Sequence, residues 1–180
     1  VEIIVPAADR AVQANCGIRM QGGWNRFPEM LKKSFRLYFR GEYGDGKLRY
    51  PLFPDSDVDA FDRLVLRSGN GKAWPSPWRA LSGGGNSLPR TTYLRDQFVR
   101  DTQRALGGET AHGMFVHLYI NGLYWGLYNP CERLDEKFAA AHFGGEAENW
   151  DVVKWIRGNG GLQLVAGTTD PWNELMRRVR

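Results

Sequence analysis

The chain has 180 residues, of which 42% are hydrophobic and 24% charged; these are ordinary globular values that exclude disorder along the whole chain and allow one cored domain rather than two. The net charge of +4 (24 basic against 20 acidic residues) admits anionic ligands without marking a nucleic-acid protein, and no nucleic-acid motif accompanies it. No apolar run reaches the roughly 18 residues that a membrane span requires, and the opening VEIIVP, with no initiator Met, basic region or apolar leader, reads as a start inside a longer protein.

Residues 14–21 (ANCGIRMQ) and 34–40 (SFRLYFR) read as strands joined by a loop holding Gly22, Gly23, Asn25 and Pro28. In the second strand Phe35, Leu37 and Phe39 share one face, and Ser34, Arg36, Tyr38 and Arg40 the other. The YGDG turn at 43–46 leads into a short extended piece near Leu48–Phe53, and DRLVLR at 62–67 predicts another strand. Residues 68–90 hold GNGK, PSP and SGGGNS and read as loop, long enough for a functional flap or a poorly ordered segment.

Residues 92–106 predict a helix stopped by Gly107–Gly108. Leu94, Phe98, Thr102 and Ala105 form its apolar stripe, with Asp96, Arg100, Gln103 and Arg104 opposite. Asp101 falls within the stripe, where a lone carboxylate is costly, so it is expected to be paired or hydrogen-bonded. Asn121-Gly122, between alternating runs at 115–128, is a strong hairpin signal because both turn residues take positive φ. Symmetric pairing sets Val116, Leu118 and Ile120 with Leu123, Trp125 and Leu127 on an aliphatic face. The other face is aromatic, pairing Tyr119 with Tyr124, His117 with Gly126 and Phe115 with Tyr128, and lies under a helix or lines a cleft.

A short helix at Asp135–Phe143 closes at Gly144–Gly145, followed by a strand at 151–155 and a Gly-rich linker at 158–161. Asp170-Pro171 then starts a helix that runs to Arg180 with no stop signal, a second sign of an incomplete chain. The order predicts an α+β fold, an antiparallel sheet packed on one main helix. Cys16 and Cys131 admit one disulfide, though two buried free thiols suit such small apolar side chains better. The three histidines lack paired metal-ligand spacing, and the heavy aromatic load (seven Trp, nine Phe, seven Tyr) reads chiefly as core.

Several segments together resemble the CotH (spore coat protein H) kinase family. They are CGIRMQGG at 16–23, KKSFRLYFRGEYGDGKLRYPLF at 32–53, FDRLVLRSG at 61–69, YLRDQFVRD at 93–101 and LYINGLYWGLYNPCERLDEKF at 118–138. The resemblance implies an atypical protein-kinase-like fold that binds ATP with Mg2+ or Mn2+ and phosphorylates serine on a protein substrate. It also implies an extracytoplasmic or cell-surface setting, with spore-coat proteins among the family's targets. Residues 1–156 then correspond to the nucleotide-binding N-lobe, and 157–180 to a linker and the start of a helical C-lobe. The family's catalytic and metal-binding aspartates belong to that later lobe. No match to them occurs before Arg180, so the catalytic residues are expected beyond it and this stretch alone is expected to be inactive.

By the same resemblance the phosphate-contacting base is Lys33 or Arg36, a choice the match leaves open; strand alternation favours Arg36, which can grip phosphate bidentately. A solvated basic strand is the plainer reading of both. Asp101 is the helix acid expected to fix that base, or else a structural salt-bridge acid, and Asp96 is the alternative, although it faces away from the stripe and reads as structural. Gly22 and Gly23 allow backbone N–H groups near phosphates, although GGWNR departs from the family's Gly-x-Ser-Ser pattern and carries over no serine contact. Glu132 falls near the hinge, and Tyr119, Tyr124 and Tyr128 are placed to flank an adenine ring or to serve as core. Two other functions fit the sequence. One is a non-catalytic extracellular interaction or adhesion domain on the same fold. The other is a carbohydrate-binding module using Trp24, Trp74, Trp78 and Trp125.

Overall fold

The computed structural model describes residues 1–5, 10–69, 92–156 and 161–179, without the side chains of Arg10 and Trp24. The long loop expected at 68–90 lies outside the described residues from position 70, as does the linker up to position 160. The fold is mixed, with antiparallel sheets and helices as the α+β reading expects, and the chain divides into two compact units, Val1–Arg133 and Leu134–Arg180.

The first unit opens with an unexpected ribbon of β1 (Glu2–Val5) and β2 (Arg10–Gln13). Its main sheet has five strands. These are β3 (Gly17–Met20), β4 (Phe35–Tyr38), β7 (Arg63–Arg67), β9 (Leu123–Glu132) and β8 (Val116–Ile120), antiparallel in the order β3-β4-β7-β9-β8. A small ribbon of β5 (Leu48–Arg49) and β6 (Ala60–Phe61) belongs to the insertion between β4 and β7. Alternation works as the sequence predicts: Leu37, Leu64 and Leu66 turn to one face and join Phe39, Leu48, Leu52, Phe53, Phe61 and Tyr128 in the core. Phe53 meets Phe61 edge-on at 5.5 Å between centroids. Each such side chain contributes about 1.5–3 kcal/mol by leaving water, so this face holds the sheet to the insertion.

The hairpin departs from symmetric pairing. Asn121 and Gly122 take φ 52° and 78° as the turn requires, and Ile120 pairs Leu123 and Tyr119 pairs Tyr124 as expected. A bulge then shifts the register, so Leu118 pairs Gly126, His117 pairs Leu127 and Val116 pairs Tyr128. Trp125 is the extra residue, and Gly126 absorbs the distortion at φ 114°. The slip moves Tyr128 off the expected aromatic cleft face into the core, where it is fully buried, and leaves Leu127 37% exposed.

Helix α1 (Arg95–Ala105) forms where expected but docks by the opposite side. Gln97 and Arg100 are buried, whereas Leu94, Phe98, Val99 and Leu106 are exposed, together with Thr102 and Ala105. The reason lies in the sheet face beneath it, which presents Arg67 and Asn129; amide and charged groups on the helix satisfy those groups, and the apolar stripe cannot.

In the second unit, Asp135 caps α2 (Glu136–Phe143), its Oδ1 accepting from the Lys137 and Phe138 amides at 3.1 and 3.3 Å. β10 (Val152–Ile156) pairs with β11 (Gly161–Ala166), a strand the sequence reading missed, and α3 spans Asp170–Val179. Glu174 on α3 accepts from Arg177 and Arg178 one turn on, which draws its carboxyl below the ordinary value. Both cysteines are free thiols.

Candidate functional site

The face opposite the core is the one α1 covers. Antiparallel partners share a face, so the register gathers Arg19, Arg36, Tyr38, Arg63, Val65 and Arg67 there, with Asn129 and Cys131 from β9. None of these strand residues is acidic. The helix supplies one carboxylate within reach: Asp96 Oδ2 accepts from Arg67 Nη2, in an ion pair with both side chains about half exposed. A strand guanidinium is thus fixed by an acid from the first turn of a helix.

Behind that pair the charge is less balanced. Arg100, buried beneath α1, donates through Nη2 to Gln97 Oε1 at 2.7 Å and to Asn129 Oδ1 at 2.5 Å, both neutral amides, and its Nε is buried without a partner. Burial pushes the Cys131 thiol up, against the pull of the Arg100 and Arg67 guanidiniums beside it. Two strands away, Arg36 donates through Nη1 to the Tyr38 hydroxyl at 2.9 Å and through Nη2 to Gln21 Oε1, and its Nε is likewise buried and unpaired. The guanidiniums of Arg19, Arg36 and Arg40 lie 5.5, 5.6 and 5.2 Å from the Tyr38 ring centroid. Arg40 is offset by Glu42 at 3.3 Å, and like charges gathered on one face suit an oxyanion ligand, to which a guanidinium offers a planar fork of N–H donors.

The sequence model of the family described as CotH kinase protein matches residues 18–173. The chain belongs to the CotH kinase family. No curated protein matches it, and no solved structure does.

Set on this CotH fold, the residues picked from sequence are dispersed. Arg36 lies on the basic face, but the Lys33 ammonium turns back along its own loop to the Phe27 carbonyl at 2.5 Å. Asp101 is paired as expected, though by its own helix. Its Oδ1 accepts from Gln97 Nε2 at 2.7 Å and Arg104 Nη2 at 2.5 Å, and Arg104 also reaches Asp55 at 2.7 Å. Among the described residues neither Arg36 nor Lys33 bonds to Asp101. Gly22, at φ 88°, and Gly23 lead into a single turn of 3-10 helix at Trp24–Arg26. Glu132 ends β9 buried, its Oε2 accepting from the His112 amide at 2.8 Å and lying 2.9 Å from His112 Nδ1. Tyr119 and Tyr124 are exposed, with ring centroids 5.2 Å apart. Of the four tryptophans considered for carbohydrate, Trp125 is 43% exposed, Trp74 and Trp78 lie outside the described residues, and so does the Trp24 side chain.

A strand–helix ion pair does join Arg67 to Asp96. Its signal was present: in RLVLR at 63–67 both arginines and Val65 fall on one side by simple alternation.

Proposed function

We propose that this chain carries the nucleotide-binding part of a CotH-type, ATP-dependent protein serine kinase that acts outside the cytoplasm, and that Arg67 is its principal phosphate contact. The supporting observation is the Arg67–Asp96 ion pair joining a central strand to the first turn of the covering helix. Protein kinases need a strand cation held by a helix acid, because phosphoryl transfer is mostly positioning and charge stabilisation. Arginine takes lysine's place here, always charged and able to grip two phosphate oxygens at once. Arg36, on the adjoining strand of the same face, is the second phosphate contact in this reading. Gly22 and Gly23 open the loop that approaches the phosphates, and the chain near Glu132 forms the hinge. Lys33 and Asp101 serve this site from its margin, through the Phe27 carbonyl and Arg104 that they bind.

The donors present fit a triphosphate. They do not fit a divalent cation, since the carboxylates that reach the arginines among the described residues, Asp96 on Arg67 and Glu42 on Arg40, are already bound to them. No metal is therefore placed on this face, and no step is routed through one. When bound, ATP supplies the phosphoryl group; the chain's own residues bind and orient it.

The test is isothermal titration of the intact protein with Mg-ATP. Arg67→Ala is expected to weaken binding tenfold or more, since a charge-assisted hydrogen bond contributes about 1.5–3 kcal/mol. Asp96→Asn should weaken it less, because the cation stays but loses its anchor. Equal affinity of wild type and Arg67→Ala, or no binding at all, overturns the reading.

A further inference from the structure

The loop between β3 and β4 ends in three residues fastened to strands far away in sequence. The Tyr128 hydroxyl donates to the Lys33 carbonyl at 2.7 Å. The Ser34 and Ser68 hydroxyls meet at 2.9 Å, and the Ser68 amide donates to Ser34 Oγ at 2.9 Å. Lys32 reaches furthest: its Nζ donates to the Leu127 carbonyl at 2.5 Å and lies 4.8 Å from the ring centroids of both Tyr93 and Tyr128. The ammonium is thus held between two aromatic rings with a carbonyl before it.

Tyr93 is the other half of this clamp. It stands just ahead of α1 at φ 61°, a left-handed conformation that a bulky side chain avoids and that persists only where its surroundings enforce it. Its hydroxyl lies 2.9 Å from the carbonyls of both Arg67 and Leu127. The single phenolic hydrogen is shared between the two, and Leu127 O is also the acceptor that Lys32 uses. Arg67 meets the start of α1 at two points, its carbonyl beside the Tyr93 hydroxyl and its guanidinium on Asp96. Burial draws the Lys32 ammonium below its ordinary value, so the clamp costs hydration that a freely solvated lysine keeps.

We infer that Lys32 is a positioning residue of the nucleotide site. Clamped between Tyr93 and Tyr128, it couples the glycine-bearing loop to the Arg67–Asp96 pair and sets their spacing without touching the nucleotide. This rests on the nucleotide reading above. Among the described residues of the loop, Lys32 is the one that reaches the carbonyl that also holds Tyr93, and so links loop and helix start.

The experiment titrates Mg-ATP into the intact protein and its variants and records each thermal midpoint without nucleotide. Lys32→Met keeps the apolar stem and removes the charge. It is expected to raise Kd about tenfold or more, the scale on which an ångström of misplacement acts, with the midpoint unchanged. Tyr93→Phe, which keeps the ring and loses the hydroxyl, should do the same, and Lys32→Arg should restore most of the affinity. If Arg67→Ala loses binding while Lys32→Met binds like wild type, the clamp is wrong and the nucleotide site stands. If Lys32→Met loses affinity only in step with its midpoint and Lys32→Arg restores nothing, Lys32 is merely structural and the inference falls. A wild-type protein that binds no nucleotide overturns both.

Discussion

Replacing Asn129 by alanine tests whether hydrogen bonding, rather than apolar contact, fastens α1 to its sheet. Asn129 is buried; it accepts from Arg100 Nη2 at 2.5 Å and donates to Gln97 Oε1 at 2.9 Å and Met114 O at 2.8 Å. Gln97 Oε1 keeps its bond from Arg100 at 2.7 Å, so the new losses fall on a guanidinium hydrogen and on the Met114 carbonyl. A buried neutral group left unmade costs about 1–3 kcal/mol and a charged one more, which sets the expected loss at about 3–4 kcal/mol. For a unit the size of Val1–Arg133 each kcal/mol moves the midpoint by about 3–5 °C, so a fall of about 9–20 °C is expected in a circular-dichroism melt. The double variant Arg100→Leu with Asn129→Leu removes charge and acceptor together. It should cost less than the sum of the two single changes, because the Arg100–Asn129 bond is lost in each of them and no cation stays buried, even though Gln97 Oε1 then lacks both its donors. A loss below about 1 kcal/mol for Asn129→Ala, the range of an ordinary surface change, or strict additivity in the double variant, refutes this account of how the helix is held.

Gly113→Ala should destabilise the same layer. A Cβ there would lie 2.6 Å from Gln97 Oε1, 3.0 Å from Arg100 Nη2 and 3.1 Å from Cys131 Cβ, and overpacking of this kind costs about 1–3 kcal/mol, readable as a shifted urea midpoint. Alkaline pH should weaken the first unit partly through Tyr128, whose hydroxyl burial pushes up from 10.0 to about 12. Since the folded value is the higher one, its stabilisation is complete below pH 10.0 and is lost as pH rises through about 12. Melts of Tyr128→Phe should therefore decline less steeply than wild type across that window, and parallel curves would contradict the assignment.

What was legible in the sequence was local. The alternation of SFRLYFR and DRLVLR, the Asn-Gly turn, the short helix before Gly144 and the Asp-Pro helix start each fix a few neighbouring residues, and each appears where expected. What was not legible depends on partners. β1 and β2 are four residues long and exist by pairing, with no turn motif to announce them, and β11 was missed because Asn159-Gly160 was read as part of a linker. The bulge at Trp125 is likewise invisible from one strand, yet it decides whether Tyr128 faces the core or a cleft.

The same limit explains why the sequence reading favoured Asp101, rather than Asp96, as the helix acid that meets the strand. Helical periodicity separates an apolar from a polar side but does not say which one meets the sheet. Assuming that the apolar stripe docks makes Asp101 the inward acid and turns Asp96 away. The sheet reverses this. Arg67 and Asn129 project from the covered face, and burying them against Leu94 and Phe98 would strand a cation and an amide at a cost that lost apolar contact does not approach. Gln97 and Arg100 therefore go under, and Asp96, one turn before Arg100 on the same side, arrives at Arg67. The identity of the strand residues dictates the rotation of the helix, and that rotation creates the ion pair on which the proposed chemistry rests. A sheet face carrying alternating arginines is thus better evidence for the helix's orientation than the helix's own pattern.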